Sequence, residues 1–225
     1  MTGTGGMHRR AAGPTLLLAA AVGLGACADG GRRANPAEGD AAGGGARATT
    51  TLPHTVTGAV DLRRLVVDTA PAGYDLLPSP PYGAVDLPRL LADFSDAPSD
   101  DQVILHDAGF ARGFTRGWLR ESPRSFLGVF VFEFAAEEGA RTAGERFAAQ
   151  NASTKQATPF AVESIAGAAG QSYTQQTADG VAERVHVITF VRGSRLYQVG
   201  GQFPDGSATV DQTVAFAEAE ARLAQ

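Results

Sequence analysis

The chain has 225 residues, with 19 Lys or Arg against 24 Asp or Glu, a formal net charge of −5 and a single cysteine. A negative balance argues against nucleic acid, and against an anionic bilayer, as the main electrostatic partner. One cysteine excludes an internal disulfide, so any folded part rests on its core alone.

His8, Arg9 and Arg10 give the N-terminus a short basic start, and residues 11–26 are apolar, rich in Leu, Ala and Gly, and free of acids. The run ends in Leu24-Gly25-Ala26-Cys27, which resembles the bacterial lipobox that is cut before a cysteine destined to carry lipid. The apolar run is short for a membrane span of about 20 residues, and Gly23 and Gly25 weaken a helix near its end. Residues 1–26 are therefore expected to be a signal peptide, starting at Met1 or Met7, and Cys27 the acylated residue. Each buried methylene contributes ~0.8 kcal/mol, so two or more long chains suffice to hold the protein on a membrane. The alternative, an uncleaved tail with an incidental thiol, leaves an unpaired oxidisable group on an exported chain. Cleavage would remove two arginines and no acid, moving the formal charge from −5 to −7.

Residues 27–58 hold Gly, Ala, Thr and charge with few large apolar side chains. Such a segment buries too little surface to offset chain entropy, and it is expected to be a disordered tether. From residue 59 to 225 apolar residues recur without another low-complexity break, which predicts one domain.

Within that domain Leu65-Val66-Val67 reads as a short strand, followed by a turn at Pro71 and Gly73 and by Tyr74, Leu76 and Leu77. Asp86 and Pro88 open a helix with Leu87, Leu90, Leu91 and Phe94 on one face. Asp100 is the expected N-cap of a second helix carrying Val103, Ile104 and Leu105, closed by Gly109. Residues 110–120 then alternate strictly, placing Phe110, Arg112, Phe114, Arg116, Trp118 and Arg120 on one face of a strand. The run 126–134 is apolar on both faces, with Phe126, Phe130, Phe132 and Phe134 opposite Leu127, Val129 and Val131. A strand of that kind belongs at the covered centre of a sheet.

An amphipathic helix is predicted over 136–149, with Ala136, Ala140, Ala143 and Phe147 as its stripe. Three strands follow, near 172–177, 183–192 and 195–203, joined by Asp179-Gly180 and Gly193-Ser194, both suited to tight hairpin turns. A last helix over 209–223 is expected to bury Val210, Val214, Ala217 and Ala221. The fold class is therefore α+β: an antiparallel sheet with helices packed on its faces, one domain after a signal peptide and tether.

Three segments carry a resemblance: Ala70-Pro71-Ala72-Gly73-Tyr74, Ala108-Gly109-Phe110-Ala111-Arg112-Gly113-Phe114, and Val129-Phe130-Val131-Phe132-Glu133-Phe134. They resemble a group of actinobacterial secreted proteins and lipoproteins of unknown function, and the element order is similar to the Mog1/PsbP-like fold. The resemblance covers most of 60–225. It implies a non-enzymatic envelope protein and brings no functional residues with it.

For chemistry, the row Arg112, Phe114, Arg116, Trp118 and Arg120 is the candidate ligand or partner surface. Guanidinium groups beside aromatic faces can hold an anionic or glycan ligand. The row also reads as an edge or solvent-facing strand whose arginine stems cover the aromatics; this is the preferred reading, and it expects part of the face to be wet. His106 and His186 lie within predicted elements and His54 beside the tether, without partners at metal-ligand spacing. No HExxH, Gly-x-Ser-x-Gly or phosphate-binding glycine loop occurs. Asp93, Asp96, Asp100, Asp101 and Asp107 lack the spacing of a calcium loop; they read as caps and solvated loop, and Glu137, Glu138 and Glu145 as an exposed helix face. No catalytic residue, metal ligand or cofactor is assigned. The expected function is a non-catalytic binding or accessory module, lipid-anchored at the outer face of the cytoplasmic membrane, with an envelope protein, lipid or glycan as partner. A lipid carrier with a cavity between sheet and helices is the alternative, motivated by the phenylalanine strand and by Ala136, Ala140, Ala143 and Gly144. An envelope enzyme is a further one.

Overall fold

The computed structural model describes residues 60–79, 81–95, 97–177, 179–206 and 210–225. The predicted signal peptide, the tether and Cys27 lie outside the described residues. Eight strands form one antiparallel sheet: β1 (Asp75–Leu76), β2 (Gly83–Val85), β3 (Phe110–Glu121), β4 (Arg124–Phe134), β5 (Thr158–Phe160), β6 (Ala169–Gln176), β7 (Ala182–Arg192) and β8 (Arg195–Pro204). Their spatial order is β1-β3-β4-β8-β7-β6-β5, with β2 also pairing β3. Four helices complete the α+β domain: α1 (Leu87–Phe94), α2 (Pro98–Asp107), α3 (Glu137–Thr154) and α4 (Val210–Leu223).

β4 lies between β3 and β8 and is covered on both faces, as its two-sided apolarity predicts. Phe126, Phe130, Phe132 and Phe134 join Leu90, Phe94, Leu105, Ala140, Ala143 and Phe147 in one core, under α1, α2 and α3. Leu127, Val129 and Val131 join Trp118, Tyr197, Val199, Phe216 and Ala217 in a second core, under α4 and residues 62–67. The small residues of α3 bring that helix close to the sheet. Ala140 and Ala143 are fully buried, and Gly144 lies against Leu196. At these positions α3 packs directly on the sheet.

Several expectations need correction. Residues 65–67 do not pair as a strand. Asp61 accepts the Arg63 N–H at 3.1 Å and opens a 3-10 turn over Leu62–Leu65, and the main-chain groups of Val66 and Val67 are met by side chains instead. The second helix starts at Pro98, not after Asp100; Ser95 Oγ accepts the Ala97 N–H and donates to the buried Asp101. Gly109 does close that helix, at φ +75. A register shift between Phe110 and Arg112 turns Phe110 away from the arginine row, against Phe132 and Phe134. The third helix runs on to Thr154, and β5 was not foreseen. The last helix buries Thr213, Phe216 and Glu220 besides Ala217 and Ala221, with Val214 only partly buried and Val210 at its start.

Candidate functional site

Past the register shift, Arg112, Phe114, Arg116, Trp118 and Arg120 share the face of β3 that looks toward α4. This face is not the solvent-facing surface that alternation alone suggested, because residues 60–74 and α4 cover it. Trp118 is 0% exposed, with its ring edge-on to Phe216 at 5.1 Å. Arg116 is 8% exposed; it stacks over Phe114 at 5.4 Å and donates to the carbonyls of Val66 (3.4 Å) and Val67 (2.5 Å). Arg112, Phe114 and Arg120 are each partly exposed, so part of the row is wet. Arg112 is tied to Glu133 at 2.6 Å and to the Val60 carbonyl at 2.8 Å. Arg120 lies over the Tyr74 ring at 4.9 Å.

The covering helix brings a carboxylate of its own. Glu220 on α4 is 0% exposed, and its Oε2 accepts the Val67 N–H at 2.9 Å. Burial raises its pKa from 4.5 to about 7, although the Val67 N–H and the Arg116 charge both work the other way. Arg116 is pulled down by burial and by Arg63, and supported by Asp68 and Glu220. Arg116 and Glu220 thus grip one peptide segment from two sides, the cation on its carbonyls and the carboxylate on its N–H. Tyr197, stacked on Phe190 at 4.9 Å, is pushed up to about 12, chiefly by burial. A Cβ at Gly201 would run into Thr213 Oγ1, so glycine there lets α4 sit close to the sheet.

Beside this clamp, residues 67–74 and α4 enclose an open groove of about 400 Å³. Val67, Thr69, Pro71 and Ala72 form one wall. Gln212, Ala215, Phe216 and Ala219, spaced as one stripe of a helix, form the other. Tyr74, Leu127 and Arg120 lie between them. Arg120 is held in place: its Nε donates to Ser125 Oγ at 3.0 Å and to the Pro123 carbonyl at 3.3 Å. Tyr74 Oη donates to the same Ser125 Oγ at 3.1 Å. The two terminal nitrogens of Arg120 have no hydrogen-bond or ion-pair partner among the described residues.

Sequence reasoning named Arg120 but missed the groove. Its walls come from three separated stretches of chain, and the small Ala215 and Ala219 carry no sign of a binding role on their own. A second cleft, of about 290 Å³, lies near Asp61, Asp86 and Arg112. Its charged groups are engaged, the two aspartates as caps and Arg112 with Glu133.

The remaining titratable residues are placed by packing or pairing. His186 sits 6.0 Å from both the Phe160 and Phe203 rings, and burial pulls its pKa down. His106 is exposed beside Asp107, and Glu137 and Glu138 both pair with Arg141. Asp93 pairs with Arg89. Among the described residues, no group of three or more His, Cys, Asp or Glu is placed to hold a metal ion. Among the same residues, no helix is long and apolar enough to cross a membrane.

No protein-family model matches the sequence, and no curated protein matches it. Among solved structures, the extracellular domain of PknH from Mycobacterium tuberculosis is 12% identical with a TM-score of 0.39, over 54% of this chain and 69% of that one. A protein from Bacteroides thetaiotaomicron is 13% identical with a TM-score of 0.33, over 44% of this chain and 35% of that one. At these scores the likeness is one of partial shape and carries no function across.

Proposed function

We propose that this chain is a lipid-anchored bacterial envelope protein whose folded domain is a non-catalytic binding or accessory module. Acyl chains on Cys27 hold it at the outer face of the cytoplasmic membrane, and its ligand occupies the groove between residues 67–74 and α4. The groove carries this reading. Its volume of about 400 Å³ lies within the roughly 300–1,000 Å³ usual for small-molecule sites, and mostly apolar walls with a few polar groups, here Thr69, Gln212 and the fixed Arg120, are the usual composition of such sites. The non-catalytic part is supported by the fate of the titratable groups. Glu220 and His186 are packed in the core, Asp61 and Asp86 cap turns of helix, and Glu133 is shared by Arg112 and Arg195. None of these side chains converges on the groove.

The anchor is tested by Cys27→Ala. The variant is expected to leave the domain folded, with an unchanged melting temperature, and to move it from the membrane pellet to the soluble fraction. Retention in the pellet after a carbonate wash, at the native level, rejects the anchor.

A further inference from the structure

We propose that the groove takes a single-chain fatty carboxylate, with the carboxylate on Arg120 and the hydrocarbon chain between Ala72 and the Ala215–Phe216–Ala219 stripe. The inference rests on the groove being the binding place and adds the class of ligand. Three observations lead to it. The walls that face each other across the groove are mostly apolar, with Thr69 and Gln212 as their polar members, so contact along most of its length rewards hydrocarbon and gives little to a sugar, which needs many hydrogen-bonding groups. Among the described residues the groove is lined by one charged side chain, Arg120, and by no acid. That guanidinium is aligned before any ligand arrives, by Ser125 and Pro123 at Nε and by the Tyr74 ring at its face, while its terminal nitrogens stay without partners among the described residues. A planar fork fixed in this way matches the two oxygens of a carboxylate, and pre-alignment lowers the entropy cost of making that pair. A free anion would gain nothing from the apolar walls, and a neutral hydrocarbon would leave the arginine unused.

The test compares dodecanoate with 1-dodecanol, which share a chain and differ in head charge, by calorimetry and by the fluorescence of Trp118, the one tryptophan of the chain. Trp118 touches Phe216 and so reports on the groove wall. Saturable binding of dodecanoate is expected, tighter than dodecanol by about ten-fold or more, the lower end of what a charge-assisted pair contributes. Arg120→Gln is expected to erase that preference and leave dodecanol unchanged. Ala215→Phe, at an exposed helix position where folding is undisturbed, is expected to weaken both ligands, and Ala219→Phe provides a second filling variant. Equal affinity for the two ligands, a preference that survives Arg120→Gln, or no binding of either overturns the fatty-carboxylate assignment. Binding that survives both filling variants overturns the groove reading itself.

Discussion

Under α1, α2 and α3 the sheet shows rings, and those rings meet one another: Phe94 with Phe130 at 5.2 Å, Phe110 with Phe134 at 6.0 Å, Phe132 with Phe147 at 6.5 Å. Under α4 the same central strands show Leu127, Val129 and Val131 beside Arg116, Trp118 and Tyr197, and the helix adds Thr213 and Glu220. Apolar side chains need only volume to match, so the first face closes on itself. The second face needs its polar groups matched one by one, and it does so incompletely. Trp118 Nε1, Tyr197 Oη, Thr213 Oγ1 and Glu220 Oε1 are buried without a hydrogen-bond partner among the described residues. His186 Nδ1 joins them on that face, and on the phenylalanine face Tyr82 Oη and the amide oxygens of Gln150 and Gln198 share the condition. Each such group costs roughly 1–3 kcal/mol. Proteins keep departures of this kind mainly where function uses them, and the groove opens on that same face.

Three tests separate the faces, in order of expected effect. Phe132→Ala empties the centre of the phenylalanine face and is expected to cost ~3–5 kcal/mol in urea melts. A loss under about 1 kcal/mol would show that β4 is not the central packed strand. On the other face, Arg116→Met leaves the Val66 and Val67 carbonyls and the Glu220 carboxylate without their cation, a loss on the order of 3 kcal/mol. Adding Glu220→Leu to it should restore part of that stability, since a well-packed apolar pair tolerates burial better than half of a charged one. A double variant no better than the single one breaks the link between these two residues.

The third test concerns pH. The folded-state pKa of Glu220 is raised, from 4.5 to about 7, so the folded protein holds this proton more tightly than the unfolded chain. Its contribution is fully present below pH 4.5 and is lost as pH rises through about 7. Arg116 and Tyr197 are the other titratable groups packed against it. His186, lowered by burial, acts in the opposite sense and loses stability as pH falls below 6.5. Subtracting Glu220→Gln from the native protein isolates the glutamate. The stability difference should shrink by on the order of 2–3 kcal/mol between pH 4.5 and 7.5, and a difference that is flat in pH contradicts the buried, proton-holding carboxylate.

What the sequence disclosed follows the range of the interactions involved. The two-sided apolarity of β4 belongs to its own residues and was readable. So were the turns at Gly180 and Gly193, whose φ of +80 and +55 suit glycine. Residues 65–67 were misread because the groups that hold them, Arg116 and Glu220, lie about 50 and 153 positions away. The alternation of 112–120 showed which side chains share a face, but a strand does not encode what will lie on top of it. The groove needs three distant segments to meet, with small residues at Ala215 and Ala219 leaving the space. No local pattern marks that.

The most direct test is native mass spectrometry of the protein purified from the cells that make it, side by side with Ala219→Phe. The native protein is expected to carry a co-purifying small apolar molecule, and the variant, with the groove filled, to emerge empty. An equal load on both, or none on the native protein, contradicts the groove as the working part of the molecule.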